Sequence, residues 1–280
     1  MGLVDVIIPT YNRADRIEKA VRSVLGQTFR DFELTVVDDG SVDGTQAVLE
    51  KYEGALRVIR HERNKGVSAA RNSGCNASDA PFIAFLDSDD QWLPGKMEAQ
   101  VNFFRENPEA LVCQTQEIWV RGGKRVNPGK KHLKPSGDIF EASLERCLVS
   151  PSAVMLRRAL LEEVGTFNEH YPVCEDYDLW LRIACRHPIH LIDEYHLIRE
   201  GGHGDQLSSS MSGMDRFRIA SIVRLIESGK LSDSQMSACL GVLEKKCGVY
   251  SQGCIKRGRL GEGRLIADIP RRMKEIAGRA

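Results

Sequence analysis

Four short, almost wholly apolar runs stand in the first ninety residues: LVDVII (3–8), FELTVV (32–37), LRVI (56–59) and PFIAFL (81–86). A strand that is apolar along its whole length is covered on both faces. Helical patterns separate these runs. In the first, residues 17–27, apolar side chains recur at Ile17, Ala20, Val21, Val24 and Leu25, the spacing of one helix face. Strand, helix, strand at this rhythm predicts an α/β fold built on a mostly parallel, doubly wound sheet flanked by helices.

Each strand ends in a polar cluster: PTYNR after the first, DDGS after the second, ERNKG after the third and DSDD after the fourth. Ligands of open parallel sheets bind in the crevice at the strands' carboxyl ends. Any one cluster is also explained by local structure. Residues 38–41 suit a β-turn, and Asp43 suits a helix N-cap. Four in succession at one edge read as a site. The fourth puts Asp87, Asp89 and Asp90 at the end of a buried strand, where like charges resist ionising together unless a positive group joins them. A divalent cation is the simplest such group.

The 280 residues, 42% hydrophobic and 28% charged, suffice for one large domain or a domain with an appendage, and the formal net charge is zero. A neutral balance argues against a molecule built to seek nucleic acid. No run of about eighteen apolar residues is present, and the start, MGLVDVIIPT, lacks a basic region with a cleavage site. The expected location is cytoplasmic. Cysteines stand at 75, 113, 147, 174, 185, 239, 247 and 254, with no C-x-x-C pair, so they read as reduced, mostly buried thiols. Cys174 stands out because it precedes Glu175 and Asp176.

VIIPTYNR, VVDDGSVDGT, NKGVSAARNSG and FLDSDD, in that order, followed by CEDYDLWLRIA at 174–184 and GGHGDQLS at 201–208, resemble a family 2 glycosyltransferase of the GT-A fold. The resemblance covers roughly the first 210 residues. It implies an inverting transferase that moves a sugar from a nucleotide diphosphate donor, expected to be a UDP-sugar, to a saccharide or lipid-linked saccharide hydroxyl, as in cell-surface polysaccharide synthesis. Asp87 and Asp89 match the family's D-x-D, which holds Mg²⁺ or Mn²⁺ against the diphosphate. Hard carboxylate oxygens suit those cations. Pro9, Thr10, Tyr11, Asp38, Arg71, Asp87 and Ser88 fall at the nucleotide site, with Asp38 matching the aspartate that reads uracil and Asp39 its neighbouring competitor. Asp90 is expected as a helix cap or a supporting group. In EDYDLW, Asp176 matches the catalytic base, Glu175 competes for that role, and Asp178 is assigned to the first turn of a helix. His203 is a candidate metal ligand or diphosphate contact in the glycine-rich loop.

The expected layout is a transferase domain over 1–210, with a nucleotide-binding half (1–90) and an acceptor-binding half (91–210), followed by a helical appendage over 211–280. In the appendage Met236, Leu240, Leu243, Cys247, Tyr250 and Cys254 form one apolar stripe, Ser232 with Gln235 makes a capping box, and Gly229 ends the preceding helix. Residues 121–135 hold six lysines and arginines and no acid, which reads as a mobile loop on the acceptor side. Residues 254–280 carry eight basic and three acidic side chains. Their helix, with Leu265, Ile266, Ile269, Met273 and Ile276 at helical spacing, is expected to dock on the domain, the alternative being peripheral contact with an anionic bilayer. Two other functions fit parts of the pattern: a metal-dependent nucleotidyltransferase, which normally needs a glycine-rich basic signature that PTYNRADR lacks, and a nucleotide-sugar-binding protein without transfer.

Overall fold

A computed structural model describes residues 2–127, 129, 132–202 and 213–278. The four predicted strands are present as β1 (Val4–Thr10), β2 (Phe32–Asp38), β3 (Arg57–Arg60) and β4 (Phe82–Phe85), alternating with α1 (Ile17–Leu25), α2 (Thr45–Glu50) and α3 (Val67–Cys75). They pair in parallel in the order β3-β2-β1-β4. The second half adds β5 (Gln91–Trp92), α4 (Lys96–Glu106), β6 (Val112–Arg121), β7 (Lys124–Val126), α5 (Phe140–Glu145), β8 (Val154–Arg157), α6 (Arg158–Val164), α7 (Glu175–Ala184) and β9 (His190–Gly201). These extend the sheet as β4-β8-β6-β9-β5, with β7 hairpinned to β6. β8 is antiparallel to both β4 and β6, and β9 is parallel to β6. The carboxyl ends of β1 to β4, β6 and β9 therefore share one edge.

Side chains on β1 alternate between two cores, as a strand's period of two requires. Ile7 faces a cluster with Ala70 and Cys75 of α3 and Tyr177, Leu179 and Trp180 of α7. Val4, Val6 and Ile8 face a second cluster with Ile17, Val21 and Val24 of α1 and Met97, Val101 and Phe104 of α4. Gly74 lets α3 approach β1 closely, since a Cβ there would sit 2.5 Å from Ile7 Cγ2.

Three helices follow: α8 (Asp215–Glu227), α9 (Asp233–Lys256) and α10 (Leu260–Ala277). The Ser232–Gln235 capping box opens α9, and Gly229, at φ 64°, follows α8. Leu243, Cys247, Tyr250 and Cys254 are buried, and Met236 and Leu240 pack at the margin of the same cluster. On α10, Met273 is buried and Ile266 and Ile269 pack against that cluster, whereas Leu265 points outward, 75% exposed. The helix docks.

Residues 121–126 differ from the expected mobile loop. They form the tight β6–β7 hairpin, with Gly122 and Gly123 both at positive φ, the two-residue turn that matches strand twist. Lys134, read as part of the same mobile loop, has its side chain buried beside Glu117. A charge count carries no information about a partner on another strand, and Glu117 is that partner.

Candidate active site

The loop after β1 and the loop after β2 are tied together by short polar bonds. Asn12 adopts a left-handed conformation, φ 51°, which asparagine tolerates better than most residues. Its side chain accepts from Val42 N at 2.9 Å, and its own N–H donates to Ser41 Oγ at 2.9 Å. Pro9 and Thr10 end β1, and Tyr11 follows, 42% exposed. Thr10 Oγ1 is buried with no hydrogen-bond partner among the described residues, an orphan that a ligand atom at this edge would satisfy.

Asp38 and Asp39 separate clearly by their partners. The Asp39 carboxylate accepts from the N–H groups of Lys65 and Gly66 at 2.9 and 2.8 Å and lies 2.6 Å from His61 Nδ1. His61 Nε2 in turn lies 2.9 Å from Ser73 Oγ on α3. Asp39 thus fixes the turn that launches α3. Asp38 accepts from Ser41 N at 2.9 Å, closing a local turn, and its other oxygen stands 3.6 Å from Arg60 Nε. The turn expected of residues 38–41 is formed, whereas Asp43 is not the helix N-cap: Gly44 takes that position, and Asp43 accepts from Thr45 N from one residue further out. The turn does not occupy both oxygens of Asp38.

Arg71, one turn into α3, is the hub of the site. Its side chain is 3% exposed, with Nη2 donating to Asp87 Oδ1 at 2.7 Å and Nη1 donating to Glu175 Oε1 at 2.8 Å. Its guanidinium also stacks over Phe167, 5.0 Å from the ring centroid. Burial works against the charge, but Asp87 and Glu175 outweigh it and hold the proton more tightly than usual. One guanidinium thereby joins the D-x-D after β4 to the E-D pair at the start of α7.

Asp87, Ser88 and Asp89 follow β4, with Asp87 N donating to Ser152 Oγ at 3.0 Å. Asp90 does not cap a helix. Two-residue β5 follows it and α4 begins only at Lys96, because Leu93, Pro94 and Gly95 make the turn. Asp90 Oδ1 accepts instead from Glu200 N at 3.1 Å, and burial beside Asp87 and Asp89 pushes its carboxyl well above the ordinary range. Among the described residues no three histidine, cysteine or carboxylate side chains converge as a complete metal cage. Two carboxylates that leave most positions to phosphate and water fit Mg²⁺ or Mn²⁺, cations that seldom use all-protein cages. His203 and the residues after it to 212 lie outside the described residues.

The α7 end is set by an unusual backbone. Cys174, at φ 62°, is one of two non-glycine residues in the left-handed region among the described residues, a costly conformation that clusters at functional sites. It starts the helix so that Glu175 turns inward to Arg71 while Asp176 stays partly exposed. Burial, then the neighbouring Asp176, pushes Glu175 up to about 7 against the pull of Arg71. Asp176 Oδ2 accepts a weak hydrogen bond from Cys147 Sγ at 3.4 Å. Asp178 sits in the first turn and pairs with Arg182 at 3.0 Å.

Four residues that the sequence reading did not assign to the site stand close to its carboxylates. Lys134 Nζ lies 3.3 Å from Glu117 Oε1 and donates to Thr115 O at 3.1 Å, and Arg199 Nη1 stands 3.8 Å from the same carboxylate. Partial burial works against the Arg199 charge, but Glu117, Asp90, Asp87 and Asp176 together outweigh it and raise its value. Ser152 is the fourth, holding Asp87 N. No motif announces these residues, since each comes from a different loop or strand.

Comparison with known proteins agrees with this geometry. The family model for glycosyl transferase family 2 matches residues 5–165, and the chain belongs to that family. It is 35% identical over 182 residues to the Escherichia coli UDP-Glc:alpha-D-GlcNAc-diphosphoundecaprenol beta-1,3-glucosyltransferase WfgD, covering 65% of this chain and 69% of that protein. It is 34% identical over 185 residues to the putative teichuronic acid biosynthesis glycosyltransferase TuaG of Bacillus subtilis, covering 65% and 71%. An uncharacterized glycosyltransferase of Rickettsia felis is 32% identical over 221 residues, 75% of this chain but only 36% of that protein; the chain spans about a third of the length of that relative. The crystal structure of S. aureus TarS residues 1–349 in complex with UDP-GlcNAc superposes with a TM-score of 0.68 at 21% identity, over 99% of this chain and 91% of that one. That likeness establishes the GT-A fold, helical carboxyl-terminal region included.

Proposed function

We propose that this chain is an inverting hexosyltransferase that moves a sugar from a UDP-sugar to a hydroxyl of a lipid-linked saccharide during cell-surface polysaccharide synthesis. The observation that carries the reading is Arg71, which binds Asp87 and Glu175 at once and so brings the D-x-D and the E-D pair to one centre. The donor and acceptor classes are supported by the name of WfgD, and the link to polysaccharide synthesis by that of TuaG. Asp38 would accept the imide hydrogen of uracil, with Pro9, Thr10 and Tyr11 about the base and ribose, and Ser88 and Arg71 near the diphosphate. Asp87 and Asp89 would hold Mg²⁺ or Mn²⁺, with His203 a further candidate ligand, and the cation supplies charge neutralisation for the leaving diphosphate.

Asp176 would take the acceptor hydroxyl proton as that oxygen attacks the anomeric carbon. The carbon's bond to the diphosphate oxygen breaks with its electron pair, and the configuration inverts in one in-line step. Glu175, tied to Arg71, would orient the guanidinium instead of acting as base. Work at the cytoplasmic face suits a chain whose described cysteines are all free thiols. Among the described residues no helix is long and apolar enough to cross a membrane, so contact with the lipid of an acceptor would be peripheral.

A thermal-shift panel of UDP, GDP, dTDP and CMP, each with and without Mn²⁺, tests the donor half. UDP with Mn²⁺ should stabilise most, by about 2.7 kcal/mol at a hundred times the dissociation constant. Asp89→Asn should remove the Mn²⁺-dependent part. An Asp89→Asn shift equal to wild type would move the cation away from the D-x-D.

A further inference from the structure

A strip of β6 and β9 runs outward from the base along the shared carboxyl edge of the sheet. Alternate residues of β6 lie on one face: Glu117, Trp119 and Arg121. Arg199 of β9 is in register with Trp119, its guanidinium 5.5 Å from the indole centroid, with Arg121 at 6.0 Å from the same ring. Glu117 lies nearest the reaction centre, since Lys134 and Arg199 link it to Cys147 and Asp176. Its Oε2 is buried with no hydrogen-bond partner among the described residues. At the outer end Arg121 pairs across the hairpin with Lys124. Like charges directly opposite on paired strands destabilise the pair, and the two-residue Gly122–Gly123 turn sets them opposite each other. Neither forms an ion pair with a carboxylate among the described residues. From Glu117 to Arg121 the strip therefore passes from a buried, unsatisfied carboxylate oxygen to the Trp119 ring, which His132 flanks at 4.9 Å between centroids, to facing cations, over about 13 Å at the usual strand rise.

We propose that this strip is the acceptor subsite, and that the acceptor it takes is a saccharide whose sugar carries a phosphate. The sugar lies against Trp119 with a hydroxyl on Glu117, and the phosphate oxygens meet Arg121 and Lys124. An aromatic face suits the C–H face of a sugar, and guanidinium suits phosphate. The strip thus distinguishes a phosphate-linked sugar from a neutral one. This rests on the transferase reading above, through the position of Asp176.

The test uses the full chain loaded with UDP and Mn²⁺, once its UDP shift has been measured, and three probes: N-acetylglucosamine 1-phosphate, N-acetylglucosamine and inorganic phosphate. Wild type should bind the sugar phosphate roughly tenfold or more tighter than either fragment, with the advantage shrinking as salt rises. The double variant Arg121→Gln, Lys124→Gln should bind sugar phosphate no better than sugar while keeping the UDP shift. Trp119→Ala should weaken both sugar probes, and Trp119→Phe should restore them, which separates stacking from damage to the strand. A prenyl diphosphate carrying the same sugar, in detergent, should lose the same factor in the double variant if phosphate is read irrespective of the lipid. Equal affinity of wild type for sugar and sugar phosphate overturns the proposal, and so does undiminished sugar phosphate binding in the double variant. Absence of any UDP shift in wild type fails earlier, at the donor site, and removes the reading on which the strip depends.

Discussion

Asp176 and Glu175 are adjacent carboxylates with opposite situations, and the difference assigns their work. Glu175 is buried with Oε1 held by Arg71 at 2.8 Å, so its contact is with the guanidinium and not with an acceptor hydroxyl. Asp176 is partly exposed: Oδ1 accepts from Tyr177 N at 2.7 Å, while Oδ2 meets only the Cys147 thiol at 3.4 Å, which leaves Oδ2 the oxygen open to an acceptor hydroxyl. Asp176→Asn keeps the shape and removes the basicity, so transfer should fall roughly 10²- to 10⁴-fold while the UDP and Mn²⁺ thermal shift is retained. Glu175→Gln should act differently, lowering thermal stability and the donor shift together because Arg71 is left with one carboxylate fewer. Single-turnover transfer beside nucleotide titration reads both. Transfer persisting in Asp176→Asn would hand the role to Glu175. The sequence pointed to Asp87, Asp89, Arg71 and the E-D pair because they stand in ordered motifs at strand ends. It did not resolve Asp38 from Asp39, because adjacent residues at a strand's end differ only in which loop they face, and His61 and the Lys65–Gly66 amides decide that.

At the scale of elements, α4, β5 and β8 are joined beneath the site by one unusual side chain. Lys96 is fully buried, its ammonium 4.0 Å from the Trp92 ring centroid, 2.6 Å from Gln100 Oε1 and 3.5 Å from Val154 O. Trp92 Nε1 donates to Ser152 O at 2.8 Å, and Ser152 holds the Asp87 amide, so the lysine supports the D-x-D from behind. Burial pushes Lys96 down to about 7 from 10.5, with the thiol of Cys113 opposing the shift and Lys134 adding to it. Below pH 7 both folded and unfolded chains carry this charge, and the burial cost is present in full. Between about 7 and 10.5 the unfolded chain binds the extra proton, so this group makes stability rise with pH. Lys96→Met should remove that slope, and urea unfolding of the two proteins at pH 6, 8 and 9.5 measures it. A difference between them that stays constant across the three values would refute the shift. The alternating apolar runs made β1 to β4 legible in the sequence because each strand is covered on both faces. The β6–β9 half was harder to read: β6 carries a bulge around Gln116, and β9 pairs with strands far away in sequence. The basic stretch 121–135 hid both a hairpin and a buried lysine.

At the scale of the whole molecule, the three final helices are covering for the α7 helix that carries Glu175 and Asp176. Ile219, Ile222 and Leu225 of α8 and Cys239, Leu243 and Cys247 of α9 share one buried cluster with Leu179, Trp180 and Ile183 of α7. Polar bonds cross the same junction: Gln235 Nε2 donates to Cys185 O at 2.9 Å, and Lys246 Nζ donates to Glu145 O at 3.0 Å. A boundary at residue 210 marks a change of pattern in the chain, but the apolar contacts continue across it, and a unit ending there would expose the back of α7 to water. If the helices and the sheet are one cooperative unit, a cavity in the former must weaken the latter. Leu243→Ala, at a buried residue that makes none of the proposed ligand contacts, should cost about 2–5 kcal/mol, the usual range for a buried leucine. The loss should appear as one unfolding transition shifted as a whole, with the UDP-stabilised fraction moving by the same amount. Fluorescence of Trp92, Trp119 and Trp180 samples the two sides of the sheet and the α7 junction, while far-ultraviolet dichroism follows the helices. Coincident curves in Leu243→Ala support a single unit. A first transition seen by dichroism alone, leaving the UDP shift at its wild-type temperature, would make residues 211–280 a separate domain.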